Sequence, residues 1–431
     1  MKRINVVLCS YSHGLGDGIA HMDASLRQGA DRELFRLRAF VLRADFPAGR
    51  SEEREGAAHI SLADAFGVLR EEFRDADIVQ VNGAFDPVAA NAASVAGVPG
   101  IVEVMHLVET GGMHEGIDAV VCVSELVRSV QTDARATVIH NGIDTGRFSF
   151  TPGRRDAENV RVVQVANAAK ALHYELADIA RELDNPLLRP RMAGSRAPAP
   201  GVPSLGVVAD MPAVYHDADL LFLIEKRSAF GLVFAEAMAC GTLPVVSGDS
   251  GAAAFVRHGE TGWVVDPVSR DEACRVLAEA AETVAKPRFL TMQRAARGLV
   301  ESRFSTQHML RGYQELWTAL AARPAKQPVQ AAAWMHLALF AQLLRHGNES
   351  AMTALEAFLA EPRPLEPSFL RHPMGQAALA YALRHGCPEL LRRGLAPLVV
   401  LLCARLRRSR CASPVLDSLE TQAKRLAAAR M

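Results

Sequence analysis

Short β-branched apolar runs alternate with longer amphipathic stretches through the first 323 residues, and this rhythm constrains the fold more than any other feature of the chain. Ile4-Asn5-Val6-Val7-Leu8-Cys9 reads as a buried strand, followed by a glycine-bearing loop and a helix beginning near Ile19. Asp77-Ile78-Val79-Gln80-Val81 reads as another strand, followed by a helical stretch from Pro87 to Ala96. Gly100 to Met105 and Ala119 to Val123 repeat the scheme. Alternating strands and helices imply parallel strands joined by right-handed crossovers, which is a doubly wound α/β sheet. After Asn141-Gly142-Ile143-Asp144 the pattern restarts with Val160 to Ala166, Leu220 to Ile224 and Leu243 to Ser247. We therefore expect two Rossmann-like domains, residues 1–150 and 151–322, facing each other across a cleft. Sheets of this kind take ligands outside the carboxyl ends of their strands.

Charge marks a further boundary. The whole chain carries 48 basic and 48 acidic residues, but from Pro324 onward 14 basic residues stand against 7 acidic. The first 323 residues therefore hold 34 against 41. Residues 323–328, with Pro324 and Pro328, read as a linker, and residues 329–431 as a helical extension. Its amphipathic stretches run from Trp334 to His346, Met352 to Leu359, Gln376 to His385 and Leu416 to Ala429. Gly347 and Gly386 each follow a Leu-Arg-His triplet, where a left-handed helix cap is expected. The apolar run Leu395 to Cys403 reads as a core helix, with Arg405, Arg407, Arg408 and Arg410 as its basic end.

Zero net charge argues against a general nucleic-acid binder. Seven scattered cysteines, never spaced Cys-x-x-Cys, point to a reducing compartment and to no zinc ribbon or disulfide framework. Met1 to Cys9 is too brief for a signal peptide, and no run approaches the ~20 apolar residues of a membrane span. The expected location is the cytoplasm.

The chemistry concentrates in Ser228-Ala229-Phe230-Gly231-Leu232-Val233-Phe234-Ala235-Glu236-Ala237-Met238-Ala239-Cys240-Gly241. A strand ending near Ile224 and a helix starting near Gly231 leave free N–H groups and the positive end of a helix dipole, which suit a phosphate or diphosphate. Glu236, a turn and a half further on, has the lone pairs to accept hydrogen bonds from a vicinal diol such as a ribose. The glycines of Tyr11-Ser12-His13-Gly14-Leu15-Gly16-Asp17-Gly18 permit close backbone approach to a phosphate, as any βα turn does. His106 ends an apolar run at the carboxyl end of an expected strand.

The segment from Phe230 to Gly241 resembles the donor-nucleotide signature of retaining glycosyltransferases with the GT-B fold, in glycosyltransferase family 4 (glycosyl transferases group 1). Flanking segments follow in the family's order: Val138 to Asp144 resembles its interdomain turn, Val256 to Trp263 its Gly-x-Thr-Gly hairpin, and Arg303-Phe304-Ser305 the approach to its closing helix. The likeness covers roughly residues 3–322. It implies an enzyme moving a sugar from a nucleotide-diphosphate sugar to an acceptor hydroxyl with retention, needing neither metal nor other cofactor. Glycan, lipid-linked, protein and small-molecule acceptors all remain open. The basic extension adds two options, a peripheral membrane contact or self-association.

The resemblance implies roles for particular residues. Glu236 would hold the ribose, while Gly231, Leu232, Val233 and Phe230 would line the donor. Gly14 and Gly16 would touch the diphosphate, with Lys170 and Arg227 as its basic partners; Lys226 is an alternative. His106 would shape the reaction site beside the donor sugar. The family's Glu-x7-Glu pattern begins here with Ser228, and Asn167 and Ala254 also depart from it. Serine can hydrogen-bond a hydroxyl or a phosphate oxygen but supplies no negative charge. Hence the rival reading, a catalytically reduced relative that binds a nucleotide sugar or a partner.

Overall fold

A computed structural model describes residues 2–10, 18–82, 87–108, 116–152, 158–168, 170–329, 334–345, 347–360, 379, 382–392, 395–408 and 414–428. The first sheet has eight strands: β1 (Ile4–Ser10), β2 (Phe35–Arg43), β3 (Ser51–Arg54), β4 (Ala57–Ser61), β5 (Ile78–Asn82), β6 (Gly100–Met105), β7 (Ala119–Cys122) and β8 (Ala136–Val138). Their order is β3-β4-β2-β1-β5-β6-β7-β8, with every pair parallel except β3 with β4. Every residue of β5, β6 and β7 is buried, the pattern of strands covered on both faces. The four residues of β3, Ser-Glu-Glu-Arg, are all exposed, and their charges protect an open sheet edge. Helices α1 (Gly18–Gly29), α2 (Ala65–Glu72), α3 (Pro87–Ala96) and α4 (Glu125–Ser129) belong to this unit.

The second sheet comprises β9 (Val160–Val165), β10 (Leu172–Tyr174), β11 (Leu188–Ala193), β12 (Leu220–Glu225), β13 (Leu243–Ser247) and β14 (Trp263–Val265). The order is β11-β9-β12-β13-β14, and β10 pairs antiparallel with the carboxyl end of β12. Around it lie α5 (Leu176–Leu183), α6 (Met211–His216), α7 (Leu232–Cys240), α8 (Arg270–Val284) and α9 (Arg288–Arg303). The architecture is the doubly wound pair that the alternation implies, with a helical C-terminal region.

Two chain crossings join the sheets and lie side by side. Ile143 N–H donates to the Phe304 carbonyl at 2.7 Å, and Thr306 N–H to the Ile143 carbonyl at 3.0 Å. Asn141-Gly142 suggests a turn with positive φ, but neither residue adopts one. Glycine is required at 142 for proximity: a Cβ there would stand 2.7 Å from Thr306 Cα. Arg297 on α9 secures the crossing by donating to the carbonyls of Phe148 (2.6 Å), Ala239 (2.9 Å) and Thr145 (3.0 Å).

After the second crossing, α10 (Thr306–Ala321) returns to the first sheet, although it lies in the span expected for the second domain. Its fully buried Trp317 donates an indole N–H to Gln80 Oε1 at 2.9 Å. Gln80 in turn donates to Asn82 Oδ1 at 2.9 Å, and Asn82 to the Asp23 carboxylate. This buried chain satisfies polar groups that would otherwise be costly inside a core.

The expected linker is docked on the first domain. Lys326 contacts the Asp118 carboxylate and donates to the Gly116 carbonyl at 2.8 Å, while Val329 N–H reaches the Ser94 carbonyl. Beyond it come α11 (Trp334–Arg345), α12 (Ala351–Ala360), a π-helical turn Ala382–Gly386, α13 (Cys387–Arg392), α14 (Ala396–Arg408) and α15 (Pro414–Ala428). Helix α11 packs on α3, and Asn348 donates to the carbonyls of Ala44 and Phe46, so the extension enlarges the first domain. Gly347 has the expected left-handed φ of +65°, whereas Gly386 lies within the π turn, facing the Phe340 ring. Most of the expected helix from Gln376 to His385 lies outside the described residues. No helix among the described residues is long and apolar enough to cross a membrane.

Candidate active site

The site is built around the start of α7. Apart from one residue this helix is apolar all round, and most of it is buried, with Phe234, Ala235, Ala237, Met238, Ala239 and Cys240 in the core. Gly231 caps it with φ +84°, and a Cβ at that position would stand 2.5 Å from the Phe234 ring, so both shape and conformation demand glycine. The N–H groups of Leu232 and Val233 open the helix with no acceptor among the described residues. Both side chains are half-buried.

Glu236 is the single charged residue of α7. Tyr215, fully buried on α6, donates its phenolic hydrogen to Glu236 Oε2 at 2.9 Å. Burial raises the carboxyl group above its ordinary pKa, while the Tyr215 hydrogen bond and the charges of Arg147 and Lys170 pull it back. Oε1 makes no hydrogen bond among the described residues. Tyr215 escapes a reading of the sequence, because nothing in the spacing of residues 215 and 236 links two separate helices.

The loop between β12 and α7 carries the other candidates. Ser228 is half-buried; its carbonyl accepts the Gly251 N–H at 2.7 Å, and its hydroxyl is unpartnered among the described residues. Arg227 is exposed and holds a left-handed φ of +46°. The Phe230 ring does not line the cleft: it is only 2 % exposed, packed against His140, Phe255 and Phe304 beside the crossings. Its backbone is what remains for a ligand.

Lys170 stands in an ion pair. Its ammonium contacts the carboxylate of Glu225, which is buried at the end of β12. Arg196, another residue the sequence does not single out, donates to the Lys170 carbonyl at 2.8 Å and pairs with Glu175. Lys226 is exposed.

The first domain approaches this loop closely. Ser124 caps α4 and donates its hydroxyl to the Ala229 carbonyl. A Cβ on Gly18, the first residue of α1, would stand 2.7 Å from Leu232 Cδ1. Gly14 and Gly16 lie outside the described residues. His106 directly follows β6; its Nε2 is shielded from solvent with no partner among the described residues, and burial lowers its pKa to about 4. It is therefore neutral at pH 7. Among the described residues no three His, Cys, Asp or Glu side chains are placed to hold a metal ion.

Residues 200–288, which include the whole of α7 and its loop, match the family model of glycosyl transferases group 1. The fold is GT-B, as in glycosyltransferases of known structure. A glycosyltransferase of Rickettsia africae aligns with 75% of this chain and 100% of its own, at 15% identity and a TM-score of 0.64. Anabaena HepE, solved in complex with UDP and glucose, aligns with 74% of this chain and 100% of its own, at 14% identity and a TM-score of 0.59. In sequence, 100 residues are 34% identical to the D-inositol 3-phosphate glycosyltransferase of Rhodococcus opacus, spanning 21% of this chain and 22% of that relative. The GT-B match to the solved structures leaves about a quarter of the chain uncovered.

Proposed function

We propose that the chain is a nucleotide-sugar-dependent glycosyltransferase, acting with retention and without a required divalent metal. The observation that carries this reading is the opening of α7: two N–H groups at a helix start with no acceptor among the described residues, followed by one oriented carboxylate in an otherwise apolar helix. A diphosphate suits the helix start, where N–H groups and the dipole converge. A ribose suits Glu236. The complexes of the GT-B neighbour HepE make UDP-sugars the first donors to try.

In the transfer step, the bond from the anomeric carbon to the diphosphate oxygen breaks while the acceptor hydroxyl oxygen bonds to the same carbon from the same face. The acceptor proton passes to a diphosphate oxygen. The α7 start and the exposed Arg227 stabilise the charge on the leaving group. Lys170 contributes less than a free lysine because Glu225 already balances it. His106, neutral and without a partner at Nε2 among the described residues, offers a hydrogen bond to the sugar or the incoming hydroxyl. Closure of the two domains excludes water that would hydrolyse the donor.

Ser228 favours one rival, a relative that binds the nucleotide sugar but turns it over slowly, since no carboxylate stands at that position. Incubating the protein with a panel of nucleotide sugars and an acceptor mixture, and following nucleoside-diphosphate release, separates the two. Release supports the transferase; tight binding with no release supports the rival.

For the extension, we favour a structural addition to the first domain over a membrane contact. Arg405 is buried over the Phe358 ring, 4.5 Å from its centroid, and Arg407 pairs with Asp417 and Glu420. Of the basic run, Arg408 stays exposed, and Arg410 lies outside the described residues. Sedimentation with anionic vesicles at low salt tests this; salt-sensitive binding would reinstate the membrane contact.

A further inference from the structure

Among the described residues, one phenol holds Glu236 by a hydrogen bond. We propose that Tyr215 is a positioning residue of the donor site: its hydroxyl pins Glu236 Oε2 so that Oε1 is presented to the vicinal diol of a nucleoside diphosphate. This rests on the reading above that Glu236 grips the ribose.

The geometry is that of a fixed support. Tyr215 has no solvent exposure, and its hydroxyl has Glu236 as its partner at 2.9 Å. The backbone is tied as well, since Thr242 donates its hydroxyl to the Tyr215 carbonyl at 2.5 Å. The Phe148 ring, on the segment following the first crossing, lies 6.2 Å from the Tyr215 ring centroid. A glutamate side chain without such a support rotates freely about three bonds and loses orientation for a bidentate diol contact.

The surroundings explain why a phenol serves here. Arg147 faces Glu236 from the crossing and Lys170 from the β9–β10 loop, but neither contacts it as an ion pair. On α7 itself the Cys240 thiol is pushed up to about 12 by burial and stays uncharged, with Arg297 of α9 acting on it rather than on Glu236. Burial and the neighbouring carboxylate hold the Tyr215 phenol well above its ordinary range, so it remains a donor at every working pH. Among the described residues it is thus the one hydrogen bond that both orients the carboxylate and favours its ionised form.

The test is calorimetric, using UDP, GDP and ADP, with the tightest compared against its 2′,3′-dideoxy analogue. Tyr215→Phe keeps the ring and removes the hydrogen. It should weaken the parent nucleotide about tenfold, the scale of a charge-assisted hydrogen bond, and the dideoxy analogue less than twofold. The pH below which binding fails should rise, and Tyr215→Phe/Glu236→Ala should bind no more weakly than Glu236→Ala alone. Glu236→Asp, one methylene too short to meet the phenol, should bind as weakly as Glu236→Ala despite its charge, and it stays informative if Tyr215→Phe does not fold. Equal weakening of both nucleotides, additive losses in the double variant, or full affinity in Glu236→Asp would each overturn the proposal. A Glu236→Ala protein that still prefers the parent over the dideoxy nucleotide overturns the ribose reading instead. Failure of the wild type to bind any of the three nucleotides overturns both.

Discussion

The hydroxyl of Ser124, in the first domain, donates to the carbonyl of Ala229, in the donor loop of the second. The same oxygen accepts the Val127 N–H and so caps α4. One side chain therefore ties a helix start on one wall of the cleft to the loop that opens α7 on the other. Gly18 against Leu232 is a second contact across the same gap.

Ser124→Ala should loosen this latch. Loss of an N-cap costs about 1 kcal/mol of stability, and the larger effect should be local. Amide hydrogen exchange at Ala229 to Val233 should accelerate several-fold while the β5 and β6 amides stay protected. Unchanged exchange in that loop would mean that the contact does not restrain it.

The pair of Lys170 and Glu225 predicts a structural role for a residue the family pattern assigns to the donor. Lys170→Met leaves a buried carboxylate without its cation. Breaking such a pair costs roughly 3 kcal/mol, taken from the low end of the known range because Lys170 is partly exposed. Urea denaturation should show the loss, and Lys170→Met/Glu225→Gln should recover part of it. A stable Lys170→Met protein with weakened nucleotide binding would instead restore the simple diphosphate role.

Much of this architecture can be read in the sequence, and the gaps have physical causes. The Pro87–Ala96 helix and the Gly100–Met105 and Leu243–Ser247 strands are legible to the residue, because burial leaves mostly apolar runs between turn residues. Strand β3 is invisible because an exposed edge of Ser-Glu-Glu-Arg carries no apolar signal. The return of α10 to the first sheet depends on Trp317 meeting Gln80, 237 residues away, which no local pattern encodes. Glu236 stands out as a lone charge in an apolar helix. Tyr215, Arg196 and the capture of Lys170 by Glu225 arise only from packing between elements.

Ser228 decides how far the site has drifted. Ser228→Glu places a carboxylate next to the half-buried loop, within the strand–helix turn that Gly251 supports. A rise in nucleoside-diphosphate release would identify the native site as impaired. A fall of tenfold or more would identify it as adapted to a different sugar, and we expect the fall if wild-type turnover is measurable at all.

Two histidines should make stability sensitive to acid. Burial lowers His106 to about 4, and burial with the Arg303 charge lowers His140 to about 4, against an ordinary 6.5. Between those values the unfolded chain binds more protons than the folded one, so stability is full above pH 6.5 and falls as pH drops toward 4. His140→Phe, set among Phe230 and Phe304, should flatten this slope by on the order of 1 kcal/mol between pH 7 and pH 5. Thermal melts at the two pH values measure it; an unchanged slope would place the acid sensitivity elsewhere.

The most direct measurement of the central claim, that nucleotide donors bind at the start of α7 with Glu236 on the ribose, is calorimetric titration of the best-binding nucleoside diphosphate into wild-type protein and Glu236→Ala. Loss of a charge-assisted hydrogen bond typically amounts to ~1.5–3 kcal/mol, so affinity should fall at least tenfold while the fold stays intact. Equal affinity in the two proteins would contradict the claim.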